Sequence, residues 1–171
     1  KGFLKTPSTT FLNARYVPLK DVQKSKICVL GAPYDGSCRH PGGRYGPNGI
    51  RQQSMHLAFR GSKRECVDIE RWKVVNAPFL LADCGDIEHE NTISPKEYYQ
   101  LIENSVGEIT KQGAIPCMLG GDHSLTYPAI KGVSAHHKIS VVQIDAHLDC
   151  YLVNLLKIYK LSWCLWRAVE L

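Results

Sequence analysis

The sequence has no dense run of lysine or arginine, no Cys-x-x-Cys pair and no signal-peptide pattern at its start. Its 21 basic and 16 acidic residues leave a net charge of +5, but the basic residues are scattered along the 171 positions. Nucleic-acid binders usually concentrate such residues on one stripe, so we expect no nucleic-acid partner. Seven cysteines without metal-type spacing favour reduced thiols in an intracellular protein over a secreted disulfide scaffold.

Phosphate-binding loops are missing as well. Gly120-Gly121 is not followed by the Lys-Ser/Thr of a Walker loop, and the stretch 31–36 lacks the G-x-G-x-x-G spacing. These absences argue against a plain nucleotide-binding module. What remains is an ordinary globular composition, 44% hydrophobic and 22% charged, in a chain long enough to bury one core.

Four short apolar runs predict strands that are buried on both faces, because each is continuous and is closed by glycine or aspartate. These runs are 27–30, 79–82, 114–119 and 139–144. Between them, helical patterns start near Pro47 and after Ser124, and the clearest covers Pro95 to Gln112. Ser94 and Glu97 form a capping-box pattern at its start. Strands that alternate with helices predict an α/β domain with a mainly parallel sheet.

Metal-binding residue types follow the last of these runs. In an extended chain Asp145, His147 and Asp149 share one face, since side chains alternate. Two carboxylates and an imidazole make a divalent metal site with mixed oxygen and nitrogen ligands. The alternative is a polar strand end whose charges are merely solvated. His123 follows the preceding strand, at the sheet edge where α/β proteins bind ligands, and joins the candidate ligands.

Other polar residues near this edge have structural interpretations. Asp122 is a ligand, a partner that orients an imidazole, or a helix cap, and we favour the last two. The paired Gly120 and Gly121 predict a tight turn that approaches another group closely. Cys84 and Cys150 lack the neighbours of an activated nucleophile and are expected to be structural thiols. No catalytic residue beyond the metal ligands, and no substrate-binding residue, is identified.

Four motif regions occur in a fixed order along the chain. They are GAPYDG at 31–36 with RHPGGRYGPNGIR at 39–51, DCGD at 83–86, GGDHS at 120–124 and DAHLD at 145–149. Together they resemble the ureohydrolase family, which contains arginases and agmatinases. The resemblance covers about residues 27–149, and the amino-terminal motif is more similar to that of agmatinases than to that of arginases.

The resemblance implies an arginase-like three-layer α/β sandwich, here incomplete, with two manganese ions at the sheet edge. It assigns His123 and Asp149 to one ion, His147 to the other, and Asp145 to both. The implied reaction is hydrolysis of a small guanidino substrate. Agmatine, giving putrescine and urea, is preferred, and arginine, guanidinobutyrate and formimidoylglutamate are the alternatives. The family also implies a homo-oligomer and a cytoplasmic or mitochondrial location.

The sequence departs from the family after Asp149. The family continues with a histidine-containing loop and an aspartate-x-aspartate strand that supplies further ligands, and neither follows here. The candidate ligands cannot fill the shells of two manganese ions, which take about six donors each when octahedral. We therefore expect this truncated chain to be inactive by itself. A non-catalytic metal-binding or interaction fragment with the family fold is the alternative.

The two ends of the chain carry further expectations. The chain opens on Lys1 rather than methionine, so we expect its natural start to lie upstream. Residues 1–149 are interpreted as part of a ureohydrolase domain and residues 150–171 as a divergent apolar tail. Lys157 and Lys160 interrupt this tail, so we expect no transmembrane helix, and an amphipathic interfacial helix is the alternative.

Overall fold

The fold is given by a computed structural model, which describes residues 4–38, 40–57, 65–76, 81–88 and 93–147. The strands are β1 (Leu4–Lys5), β2 (Arg15–Tyr16), β3 (Ile27–Ala32), β4 (Glu65–Asp68), β5 (Lys73–Asn76), β6 (Leu81–Ile87) and β7 (Ile115–Gly120). The helices are α1 (Gly46–Ser54), α2 (Pro95–Lys111) and α3 (Thr126–Ser134). A single helical turn, His123–Leu125, leads from β7 into α3.

The main sheet is mostly parallel. Its order is β1-β6-β3-β7, and β2 also pairs with β6. β2 and β3 run parallel to β6, β7 runs parallel to β3, and only the short β1 is antiparallel among these described strands. β4 and β5 form a separate antiparallel pair. The predicted α/β class with a mainly parallel sheet is confirmed.

Alternate residues of β3 face different helical layers. Cys28, Leu30 and Ala32 lie in one buried cluster with the α2 residues Tyr98, Ile102, Val106 and Ile109. Gly31 faces the opposite layer, where a Cβ would come within 3.0 Å of Arg51 Nη1 in α1. The sheet therefore lies between α1 on one side and α2 on the other. This is the three-layer arrangement that the resemblance implies.

Helix α2 has the start and the cap that its sequence predicts, and it ends one residue before the predicted Gln112. The Ser94 hydroxyl accepts a hydrogen bond from the Glu97 amide at 3.3 Å, and the Glu97 carboxylate accepts one from the Ser94 amide at 2.8 Å. The helix ends at Lys111, and Gly113 follows with a φ of 81°. These signals are local, so the sequence alone suffices to place the helix.

The predicted strand at 139–144 is wrong. This segment has no strand structure, and Val142 and Ile144 are 86% and 97% exposed. It borders a cavity of about 330 Å³ beside β7 that Pro116 also lines. The Ile115 amide bonds to Lys26 on the β3 side, so position 116 faces the other edge of β7. Proline offers no N–H there, and this edge lacks a donor that a neighbouring strand would need.

The DCGD motif does not end its strand, although the sequence predicts a turn there. β6 continues through it to Ile87, and residues 79 and 80 of the predicted run lie outside the described residues. Asp83 and Asp86 pair with β3 residues only two positions apart, so β6 bulges by one residue between them. Gly85, with a φ of 85°, occupies this bulge.

No helix in the described ranges combines the length and apolar character needed to cross a membrane. Cys28, Cys38, Cys84 and Cys117 are free thiols. Cys84 is fully buried in the core, as expected of a structural thiol, whereas Cys150 lies outside the described residues.

Candidate metal centre

The turn after β7 lies against the end of β3. The Gly121 amide donates to Ala32 O at 3.3 Å, and the Asp122 amide donates to Tyr34 O at 2.8 Å. A Cβ at Gly121 would come within 2.9 Å of the Tyr34 nitrogen. The close backbone approach predicted for the paired glycines is confirmed, and it places His123 at the carboxyl edge of the sheet.

Asp122 caps the turn that carries His123. Its Oδ1 accepts from the Ser124 amide at 3.0 Å and from the Ser124 hydroxyl, and its Oδ2 accepts from the Ser37 amide at 2.9 Å. The side chain is buried, and both of its oxygens are used within the protein. Of the two roles that the sequence favoured for Asp122, the structure shows the cap.

His123, Asp145 and His147 come together at this edge. His123 Nδ1 lies 3.8 Å from one oxygen of Asp145, and His147 Nδ1 lies 3.8 Å from the other. These separations are too long for hydrogen bonds. The side chains are 24%, 33% and 80% exposed in the order His123, Asp145, His147. Two imidazoles therefore flank a single accessible carboxylate.

A local turn, rather than strand alternation, brings Asp145 and His147 together. The His147 amide donates to Asp145 Oδ1 at 2.9 Å, and the Gln143 side chain donates to His147 O at 2.8 Å. The extended geometry predicted for this motif is therefore not present in residues 145–147. Asp149, the fourth candidate ligand, lies outside the described residues.

The donor chemistry of these side chains fits a divalent cation. Imidazole nitrogen and carboxylate oxygen are the ligands that zinc and manganese-like ions take in proteins. Across the described ranges, however, no group of three or more His, Cys, Asp or Glu side chains has the arrangement of a metal site. The structure thus brings together suitable donors without closing a coordination sphere around them.

A buried ionic network lies beneath this edge, and the motif analysis assigned it no role. Arg51 Nε donates to Asp83 Oδ2 at 2.8 Å and Nη2 donates to Asp83 Oδ1 at 2.9 Å, while Nη1 donates to Asp86. Burial acts to lower the pKa of Arg51, but the hydrogen bonds to the two carboxylates outweigh it and raise that pKa. The signal in the sequence was the glycine inside DCGD, because glycine within a strand often marks a bulge.

A second carboxylate, Asp35, organises the loop between β3 and α1. It accepts from the Gly42 amide at 2.7 Å and from Arg44 Nε at 2.7 Å. The Arg44 side chain beside it, together with the Gly42 amide, holds the pKa of the Asp35 carboxyl well below its usual range. This contact holds residues 42–44, which lie just ahead of α1.

A cavity of about 660 Å³ lies at the carboxyl ends of β3 and β6. Asp86 and Glu88 line it, together with Pro33 and Arg44. Ligands of parallel α/β sheets bind at this end of the strands, and the volume is in the range of small-molecule pockets. No substrate-binding residue was predicted from the sequence, and no motif in it pointed to this cavity.

Comparisons with known proteins agree with the motifs. The sequence profile of the arginase family matches residues 25–170. The mitochondrial agmatinase of Gallus gallus is 35% identical over 125 residues, which cover 70% of this chain and 34% of that protein. The chain spans about a third of the length of the first curated relatives it matches.

Solved structures have the same fold. Proclavaminate amidino hydrolase from Streptomyces clavuligerus matches with a TM-score of 0.75 and 27% identity, over 95% of this chain and 52% of that one. A variant of Trypanosoma cruzi formiminoglutamase with Mn²⁺ matches with a TM-score of 0.67 and 25% identity, over 90% and 52% of the two chains. The fold, the order of the motifs and a profile match over most of the chain agree. The chain therefore belongs to the arginase family.

Proposed function

We propose that this chain belongs to a manganese-dependent hydrolase of guanidino compounds. Its favoured substrate is agmatine, and its products are putrescine and urea. The observation that carries the proposal is the approach of His123 and His147 to Asp145 at the carboxyl edge of an arginase-family sheet. A cavity at the same end of the strands, lined by the acidic Asp86 and Glu88 and by the basic Lys5 and Arg44, has the volume of a small-molecule site.

Four residues would hold the metal in this proposal. His123 and Asp149 are proposed ligands of one ion, His147 of a second, and Asp145 of both. The chemistry that bound manganese supplies is the activation of water near neutral pH for attack on the planar guanidinium carbon. The protein's own part is to keep His123 and Asp145 facing each other, with Asp122 fixing the turn that carries His123.

Agmatine is favoured because an agmatinase is 35% identical to this chain and because the amino-terminal motif is agmatinase-like. The names of the other matched proteins, a proclavaminate amidino hydrolase and a formiminoglutamase, show how widely substrates vary within this fold. Arginine, guanidinobutyrate and formimidoylglutamate are therefore the alternatives to test beside agmatine. We also propose a homo-oligomer, and a mitochondrial or cytoplasmic location, the first being the compartment of the chicken relative.

A second candidate is a non-catalytic, metal-binding member of the family. The number of donors favours it for the 171-residue chain, because two octahedral manganese ions would take about six donors each. Only His123, Asp145 and His147 are brought together in the part of the chain that the structure describes. The two candidates differ in the turnover that they predict.

Calorimetric titration of the metal-free 171-residue chain with MnCl₂ tests the ligand assignment. We expect saturable binding that Asp145→Ala abolishes and His147→Ala weakens. Asp68→Ala is the matched control, because Asp68 also accepts from backbone amides of its own turn and lies in the separate β4–β5 pair. Binding that survives Asp145→Ala unchanged, or is absent from the unmodified chain, contradicts the proposal.

Urea release separates the catalytic candidate from the non-catalytic one. With manganese present, we expect negligible turnover of agmatine by the 171-residue chain. Measurable turnover that His147→Ala removes would show that this chain is itself an enzyme. Agmatine, arginine and guanidinobutyrate, assayed in parallel by urea release, and formimidoylglutamate, assayed by loss of substrate, then rank the substrate classes.

A further inference from the structure

A closed ring of hydrogen bonds lies behind the turn that carries His123. Its members, called here the polar ring, are Ser37, Tyr99, Asp122 and Ser124. The Tyr99 hydroxyl lies 2.7 Å from Ser124 Oγ and 3.0 Å from Ser37 Oγ. Ser124 Oγ contacts Asp122 Oδ1, and Asp122 Oδ2 accepts from the Ser37 amide at 2.9 Å, which closes the ring.

Two hydroxyls of the polar ring donate in sequence towards Asp122. An ionised carboxylate only accepts, so the Ser124 hydroxyl donates to Asp122. Tyr99 then donates to Ser124, and the hydroxyls of Ser37 and Tyr34 are its other hydrogen-bond partners. Burial raises the pKa of Tyr99, so its hydroxyl remains a donor at neutral pH. Such a chain polarises each of its bonds and strengthens the next.

The polar ring joins three separate parts of the fold. Ser37 lies in the loop between β3 and α1, Tyr99 lies in α2, and Asp122 and Ser124 lie on either side of His123. Asp122 and Ser124 are both buried. Because its two sequence neighbours are held by the ring, the backbone of His123 is held from both sides.

We propose that Tyr99 is a positioning residue for metal binding, which acts through the polar ring to keep the His123 imidazole facing Asp145. This inference rests on the proposed function, in which His123 and Asp145 are ligands. His123 Nδ1 lies 3.8 Å from Asp145, and a ligand pair of this kind loses affinity when the groups that orient it are removed. Tyr99 itself does not contact the metal donors in this proposal and is not a catalytic residue.

Tyr99→Phe removes the hydroxyl at the centre of this chain, and Tyr98→Phe is its matched control. Both tyrosines belong to α2, and both rings pack on the ring of Tyr34. The ring centroid of Tyr99 lies 5.8 Å from that of Tyr34, and the centroid of Tyr98 lies 5.1 Å from it. The Tyr98 hydroxyl donates instead to Ile87 O, at 3.3 Å, outside the polar ring. The two variants therefore lose the same atom from neighbouring positions of one helix.

Two measurements on the 171-residue chain decide the proposal. Calorimetry with MnCl₂ is expected to show about tenfold weaker binding for Tyr99→Phe and an unchanged affinity for Tyr98→Phe. Nitrogen-15 NMR of the metal-free proteins is expected to show shifted His123 ring signals in Tyr99→Phe only. Unchanged His123 signals in Tyr99→Phe overturn the inference, whatever the affinity.

The same data separate this inference from the proposed function. If the unmodified chain binds no manganese, the proposed function fails, while the His123 signals still decide whether Tyr99 positions that side chain. If Tyr99→Phe does not fold, Ser37→Ala takes its place, since it removes a hydroxyl that hydrogen-bonds Tyr99 and leaves the tyrosine itself in place. Ser37→Ala is then expected to shift the His123 signals, and an unshifted spectrum contradicts the proposal.

Discussion

Arg51 and Asp83 form a two-point ion pair that is completely buried. Arg51 Nε and Nη2 lie 2.8 and 2.9 Å from the two oxygens of Asp83, and neither side chain is exposed. Asp83 also accepts from the amides of Phe11 and Gly85, and Arg51 donates to Asp86 as well. This pair joins α1 to β6 across one face of the sheet, next to the carboxyl edge where the candidate ligands lie.

Arg51→Met should destabilise the protein by about 3–5 kcal/mol, because it leaves Asp83 buried without its charge partner. Urea unfolding followed by circular dichroism measures the change. Arg71→Met is the control, since the Arg71 side chain is 80% exposed and lies 3.8 Å from Asp68. The control should cost less than about 1 kcal/mol. Equal effects of the two substitutions would contradict the role assigned to the buried pair.

Asp35 should make stability depend on pH in the acid range. Its pKa is lowered in the folded protein, so its contribution is present above the unfolded value of about 4 and is lost as the pH falls towards the folded value. Asp35→Asn should therefore be less stable than the unmodified chain at pH 7, with a gap that narrows below about pH 4.

Unfolding curves at a series of pH values from neutral to acid test this prediction. Arg44→Met should weaken the same pH dependence, because the Arg44 side chain is the main cause of the lowered Asp35 pKa. A gap between Asp35→Asn and the unmodified chain that stays constant with pH would count against it.

Gly132→Ala and Gly49→Ala should have opposite effects, although both replace a helical glycine. A Cβ at Gly132 would lie 2.6 Å from Glu103 O and 3.0 Å from Gly107 N, both backbone atoms of α2, so α3 would be pushed from its partner. We expect a loss of about 1–3 kcal/mol. A Cβ at Gly49 meets nothing within 4 Å, and alanine there should add about 0.5–1 kcal/mol.

Thermal unfolding of the two alanine variants is the measurement. The unfolding midpoint is expected to fall for Gly132→Ala and to rise for Gly49→Ala. A rise for both would mean that helix propensity outweighs the close packing of α2 on α3.

Helices were more predictable than strands in this chain. The cap of α2 depends on Ser94 and Glu97, three residues apart, and both of its hydrogen bonds are present. The segment 139–144 has the composition of a buried strand, but a strand needs a hydrogen-bonded neighbour, which composition cannot supply. With a proline on the outer edge of β7, that pairing is not made in the described residues.

The candidate site was predictable in its residue types but not in its geometry. The motifs named His123, Asp145 and His147, and the structure brings them within 3.8 Å of one another in pairs around Asp145. Asp145 and His147 approach each other through a turn that the His147 amide closes, whereas the motif predicted an extended strand. The polar ring was not predictable, because its members lie in three elements far apart in the sequence.

By itself, the sequence determined the α/β class, the start and cap of α2 and the resemblance to the family, because these depend on short-range spacing and on motifs in a fixed order. Only the tertiary structure decided how DCGD is used. In a regular strand Asp83 and Asp86, three residues apart, would point to opposite faces. The extra residue at Gly85 turns both carboxylates towards Arg51, a residue more than thirty positions earlier, and such a contact exists only once the sheet and helix have packed.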